Sequence, residues 1–144
     1  MAETTANRSD SAEVALIGAM ILDPDALQGA RRMVGPDDFQ RDAHRVLYTA
    51  LCAMLDAGQH VDVVTLTDHL ATAGTLDHVG GAVALADLHG FEVCPVPAAW
   101  PSYATIVSRE GQRRRMIAQL RNLIARLEAG EDPTVVAAAL DVAA

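Results

Sequence analysis

The chain has 144 residues and a formal charge of −8; 51% of its residues are apolar, but only five are Trp, Tyr or Phe. That length suits one domain burying roughly 70% of its unfolded surface, and an Ala-, Leu- and Val-rich composition favours helices packed through small side chains. Acidity argues against general affinity for phosphate backbones, and the absence of lysine excludes a G-x-x-x-x-G-K-[ST] phosphate loop, so this chain is no P-loop NTPase.

Residues 1–10, MAETTANRSD, are polar, lack the apolar stretch of a secretory signal, and read as a disordered lead-in. From Ser11, SAEVALIGAMIL predicts a first apolar helix, stopped by Asp23-Pro24; Pro24 then suits the first turn of PDALQGARRMV. Gly35-Pro36 breaks the chain again. DDFQRDAHRVLYTALCAMLDAG is the clearest amphipathic segment of the first half, with Val46, Leu47, Ala50, Leu51, Met54 and Leu55 at helical spacing and Gly58 as the stop. A short helix is expected from near Val63 or Thr65 to Gly74, and another in AVALADLHG after Gly80-Gly81. CPVPAAWP reads as a proline-punctuated connector, with Trp100 a packing anchor. One long helix follows from about Ser102 to Ala129, then a turn at Gly130 and a final helix with Asp132 as N-cap and Pro133 at its first position. The expected fold is all-α: a compact multi-helix head over residues 11–99 and a helical hairpin over 102–144.

The long helix holds six of the eleven arginines. Seven-residue spacing lines up Tyr103, Glu110, Ile117 and Ile124 beside Ile106, Arg113, Leu120 and Leu127, as in a helix that packs along another helix. Glu110 and Arg113 interrupt this seam at a spacing that lets them pair. The short last helix offers too little apolar surface to cover the seam, so Tyr103, Ile106, Ile117, Leu120, Ile124 and Leu127 are the candidate self-association residues. The competing reading folds the hairpin back onto the head. Arg113, Arg114, Arg115, Arg121 and Arg126 are the candidate partner-facing residues. A net +4 over 103–129, without interleaved aromatics, fits a solvated face or an acidic protein neighbour better than nucleic acid.

VDVVTLTDHLATAGTLDHV imitates a helix-turn-helix, yet between Arg45 and Arg109 histidines are the only basic residues, set among six carboxylates that would repel phosphate. The five histidines and two cysteines give neither H-x-x-x-H nor C-x-x-C, so no metal site is expected. Asp42 with His44 and Asp68 with His69 are the nearest thing to acid–base pairs, and neighbours such as Asp68 and His69 point about 100° apart on a helix. No catalytic residue and no cofactor is expected. Unpaired cysteines and the lack of a long uncharged apolar run point to a reduced, cytoplasmic protein with no membrane span.

In order along the chain, EVALIGAMILD (13–23), DFQRDAHRVLYTAL (38–51), GQHVDVVTLTDHLATAGTLDHVGG (58–81), AVALADL (82–88) and PAAWPSYATIVSREGQRRRMI (97–117) resemble the N-terminal domain of the bacterial replicative DNA helicase of DnaB type. The resemblance implies an all-helical head and hairpin, hairpins paired between subunits, a dimer or trimer-of-dimers collar on a hexameric helicase, and primase docking on that collar. It implies a non-catalytic interaction and oligomerisation module of DNA replication, with replicative helicase or primase as partner; the acidic charge adds the expectation of no direct nucleic-acid contact. The chain departs from the family in several ways: the ATPase domain is absent, and Gln40 and Asp42 replace an aromatic and a proline. Gly111, where a good helix former is usual, predicts a loosened helix. Arg113 and Arg114 match the family's arginine position. The sequence reads equally as one domain of a helicase or as a free-standing small protein. Two rivals remain: a nucleic-acid-binding accessory protein using the arginines, and a small enzyme with a polar pocket joining His44, His69 or His89 to carboxylates.

Overall fold

The structure, a computed structural model, describes residues 2–88 and 96–143, with side chains for 8–88 and 96–141; His89 and Cys94 lie outside the described residues. Among the described residues seven α-helices follow in chain order: α1 (Ala2–Leu22), α2 (Pro24–Ala30), α3 (Asp42–Asp56), α4 (Val63–Thr72), α5 (Gly81–Leu88), α6 (Trp100–Glu128) and α7 (Pro133–Ala143). Single 3-10 turns stand at Pro36–Asp38, Leu76–Val79 and Pro97–Ala99, and no strand occurs among the described residues. The all-α expectation holds.

Local chemistry sets most boundaries where the sequence places them. Asp23 caps α2 by accepting from the Asp25 N–H at 2.9 Å, with Pro24 at the first position. Asp62 and Thr65 form a reciprocal box at the start of α4: Thr65 N–H donates to Asp62 Oδ1 (2.8 Å) and Asp62 N–H to Thr65 Oγ1 (3.0 Å).

Two boundaries differ. The expected lead-in over residues 1–10 is helical from Ala2 rather than disordered. No Gly or Pro interrupts these residues, and their end is tied down by buried Ser9 and by Asp10, whose carboxylate meets Arg41 Nε at 2.6 Å. In the other case, α3 begins at Asp42, because Phe39 and Arg41 are extended. Buried Phe39 packs on Tyr48 with ring centroids 5.1 Å apart, and the Gln40 N–H donates to Glu13 Oε1 at 2.7 Å, a contact that a helical Gln40 would spend on its own turn.

The chain forms two compact units, one up to Gly111 and the other from Gln112. The first has a core of Leu16, Ile17, Met20, Leu27, Phe39, Leu51, Leu66, Leu70 and Leu85, joined by Ala104 and Val107 of α6. The division therefore falls inside α6, not between residues 99 and 102, because the first three turns of that helix supply core side chains. Trp100 packs on Ala19 and Ala26, and its ring lies where a β-carbon on Gly29 would sit. Gly111 also has a packing reason: an added β-carbon would lie 2.7 Å from the Asp38 Cα and 2.5 Å from its Oδ1. The expected loosening at Gly111 is thus replaced by close approach of two backbones.

Candidate interaction surface on the C-terminal helical pair

The second unit consists of α6 from Gln112, a turn, and α7. Gly130 makes the turn at φ 87°, and the Glu131 N–H reaches back to the Arg126 carbonyl at 3.1 Å. Arg126 then clamps the turn from the side: its Nε donates to Glu131 Oε2 at 2.7 Å and its terminal nitrogen to Oε1 at 2.5 Å. That bidentate hydrogen bonding holds the Glu131 carboxyl below the usual carboxylate range. Asp132 accepts from the Thr134 hydroxyl and, at 2.8 Å, from its N–H, and these bonds lower its carboxyl likewise. Asp132 thus caps α7 in the way the sequence indicates.

Only Leu123 and Val136 are buried among the described residues of this unit. The rest of its apolar surface is open. Ile117, Leu120, Ile124 and Leu127 are 42, 45, 55 and 45% exposed, and Met116, Val135 and Leu140 are exposed with them. At 3.6 residues per turn, Leu123, Met116, Leu127, Leu120, Ile124 and Ile117 share an arc of about 120° on α6. Arg113 lies within that arc, while Arg114 and Arg121 flank its Ile117–Ile124 edge.

The six expected seam residues therefore separate into two groups. Ile117, Leu120, Ile124 and Leu127 form one exposed row. Tyr103 and Ile106 are half-buried against the core of the first unit, and the Tyr103 hydroxyl donates to the Val96 carbonyl at 3.3 Å. Seven-residue spacing continued through them because a helix keeps its period whatever covers each stretch. Among the arginines, Arg113, Arg115 and Arg121 are exposed and Arg114 is half-exposed. Arg126, expected to face a partner, is instead engaged by Glu131. Buried Glu110 accepts from Arg109 Nε at 3.2 Å. Leu123 and Met116 escaped the sequence reading, although each sits three or four residues from a seam position.

The other polar arrangement that sequence reasoning missed is interior. Glu13, with no exposed surface, accepts from His44 Nδ1 at 2.6 Å and from the Gln40 N–H at 2.7 Å. A carboxylate only accepts, so it fixes Nδ1 as the protonated ring nitrogen. Burial pushes the Glu13 carboxyl up, but the hydrogen bonds from His44, Gln40 and Arg41 and the charge of His44 outweigh it, and the net displacement is downward. The signal was a glutamate inside the apolar run EVALIGAMIL. Sealed from solvent, the pair ties α1 to α3 and presents nothing to a substrate.

His69 lies elsewhere, in an open groove of about 750 Å³ lined also by Met54, His60, Val64 and Asp68. Among the described residues no group of three or more His, Cys, Asp or Glu is placed to hold a metal ion. Burial pushes the Cys52 thiol up, and the nearby Asp56 charge adds to this against opposing effects of Tyr48 and Arg31; such a thiol is a poor nucleophile. No helix among the described residues is long and apolar enough to cross a membrane.

Comparison with known proteins gives a consistent result. Residues 5–109 match the DnaB-like helicase N terminal domain. Over 110 residues the chain is 38% identical to the replicative DNA helicase DnaB of Geobacillus stearothermophilus, covering 76% of this chain and 24% of that protein. Over 106 residues it is 40% identical to the replicative DNA helicase DnaC of Bacillus subtilis (strain 168), covering 74% and 23%. The chain thus spans about a quarter of the length of the curated relatives it matches. Its structure resembles the crystal structure of the N-terminal domain of DnaB helicase from Mycobacterium tuberculosis, with TM-score 0.79 and 31% identity over 83% of this chain and 86% of that one. A DnaB-like replicative helicase, described with its interactions with primase, has the same fold at TM-score 0.69 and 21% identity over 83% and 28%.

Proposed function

Because this chain belongs to the family of DnaB-like helicase N-terminal domains, we propose that it is a non-catalytic interaction and oligomerisation module of DNA replication, self-associating through its C-terminal helical pair. The observation that carries the reading is the row Ile117, Leu120, Ile124 and Leu127, each about half exposed on a helix whose unit buries only two side chains among its described residues. A two-helix unit with so small an interior gains stability by covering such a row. Dimers, or a trimer of dimers, are the assemblies this supports. Primase and the replicative helicase are the further partners, by analogy with the helicase described with primase. Helicase activity is assigned outside these residues, and the site of action to the cytoplasm, where bacterial replication takes place.

Sedimentation velocity tests the proposal. The wild-type chain is expected to sediment as a dimer or larger, and Leu120→Arg or Ile124→Arg as a monomer with unchanged helical circular dichroism. A wild-type chain that stays monomeric at high concentration would refute self-association. The nucleic-acid reading has less support. The arginine helix belongs to a chain of −8 charge, and Arg126 is committed to Glu131.

A further inference from the structure

We propose that the crease between α3 and α4 is a binding site for a small apolar monocarboxylate. The site lies wholly within the first compact unit and is independent of the self-association proposed above. A cleft of about 350 Å³ opens there, lined from α3 by Val46, Ala50 and Ala53 and from α4 by Leu70 and Ala73. Alanine at three of these five positions is what leaves the space. Leu70 and half-buried Val46 are anchored in the core, whereas Ala53 and Ala73 stand open to solvent. At the roughly 30 Å³ that each water occupies in the liquid, such a volume corresponds to about a dozen non-hydrogen atoms. Apolar walls with a few polar groups at the edge are the usual make-up of a small-ligand site.

The ionisable groups at its edge are of one kind. Arg45 and His69 line the cleft and no carboxylate is among its lining residues, although the chain as a whole carries −8. Asp68, next to His69, lines the adjoining groove instead. Arg45 is held in place: its Nε donates to the Phe39 carbonyl at 2.8 Å and its Nη1 to Asp42 Oδ1 at 3.1 Å. Those bonds use two of the five guanidinium N–H groups, and the others can donate to a carboxylate. Asp42 is 94% exposed, so water competes for its side of that ion pair. The His69 ring supplies a further N–H. A hydrocarbon body with one carboxylate therefore satisfies both parts of the cleft. An amine would meet Arg45 as a like charge, and a dianion would bring more charge into an acidic protein than one guanidinium offsets.

Titration of the isotope-labelled full chain with phenylbutyrate, followed by amide NMR spectra, tests the site. Phenylbutanol and phenylbutylamine serve as neutral and cationic probes with the same body. Phenylbutyrate is expected to shift the amides of Ala50, Ala53, Leu70 and Ala73 with a Kd of roughly 1 mM, the range for a ligand of this size. The alcohol should bind about five-fold more weakly and the amine more weakly still. Arg45→Gln should bring the acid down to the affinity of the alcohol. Ala53→Leu, at an exposed position, should fill the cleft and abolish the shifts. No saturating shift at these amides, equal or tighter binding of the alcohol or the amine, or a preference for the acid that survives Arg45→Gln would each overturn the proposal. Should Ala53→Leu lose the dispersed spectrum of a folded chain, the comparison of acid with alcohol on the wild-type chain and on Arg45→Gln decides alone.

Discussion

Replacing Gly111 by alanine sets two effects of known sign against one another. Helix propensity favours alanine in a helix interior by about 1 kcal/mol. Packing opposes it: the new methyl carbon would lie 2.7 Å from the Asp38 Cα and 3.0 Å from its Cβ. Were the neighbour the end of a flexible side chain, a rotamer change would relieve the collision. Here it is backbone, held by the buried Phe39 that follows and by the Gly35 N–H, which donates to Asp38 Oδ2 at 2.9 Å. Overpacking at such a site costs about 1–3 kcal/mol, and the upper part of that range applies where backbone must move. Gly111→Ala is therefore expected to destabilise the protein by a net ~1–2 kcal/mol, lowering the thermal midpoint by roughly 3–8 °C for a chain of this size. Urea and thermal unfolding monitored by circular dichroism measure both quantities. A midpoint raised by alanine would refute the close-packing account and restore propensity as the reason glycine matters there.

Gly29→Ala should displace the indole of Trp100, the sole tryptophan, red-shifting its fluorescence; pairing it with Trp100→Leu should recover part of the lost stability. Glu13→Gln should cost about 1–3 kcal/mol, because an amide has one acceptor oxygen for the two donors His44 Nδ1 and Gln40 N–H. The folded Glu13 carboxyl lies below its ordinary 4.5, so its contribution is present above that pH and is lost as pH falls through the folded value. Acid unfolding of Glu13→Gln should accordingly be shallower than wild type below pH 4.5, and parallel curves would contradict the assignment. Leu120→Arg, at a side chain 45% exposed, should weaken self-association at least about 100-fold, from lost apolar burial in both copies together with two desolvated guanidiniums. Filter binding to single- and double-stranded DNA should show almost no retention at physiological salt; tight binding that falls steeply with salt would favour the nucleic-acid reading.

Much of the fold was legible because its punctuation is local. Pro24, Gly58, Gly130 and Asp132 act within a turn of where they stand, and helical periodicity lines up the row from Ile117 to Leu127. What stayed hidden depends on distant partners. Periodicity told that Tyr103 and Ile106 share a face with Ile117, but not that different surfaces surround them. The role of Gly111 depends on Asp38, and that of Glu13 on Gln40 and His44, so a residue-by-residue reading finds a weak helix former at 111 and no role for Glu13. Polar composition alone points to disorder over residues 2–10, whereas the absence of any Gly or Pro there permits the helix that is found.

The place where α6 passes from one compact unit to the other bears on how the protein can be dissected. A fragment ended at the prolines before Trp100 would look tidy on paper, yet it would discard Ala104 and Val107 and open the interior they plug. A fragment carried to Gly111 keeps them, at the expense of severing a continuous helix. The natural cleavage plane of this molecule therefore runs through a rod rather than a loop.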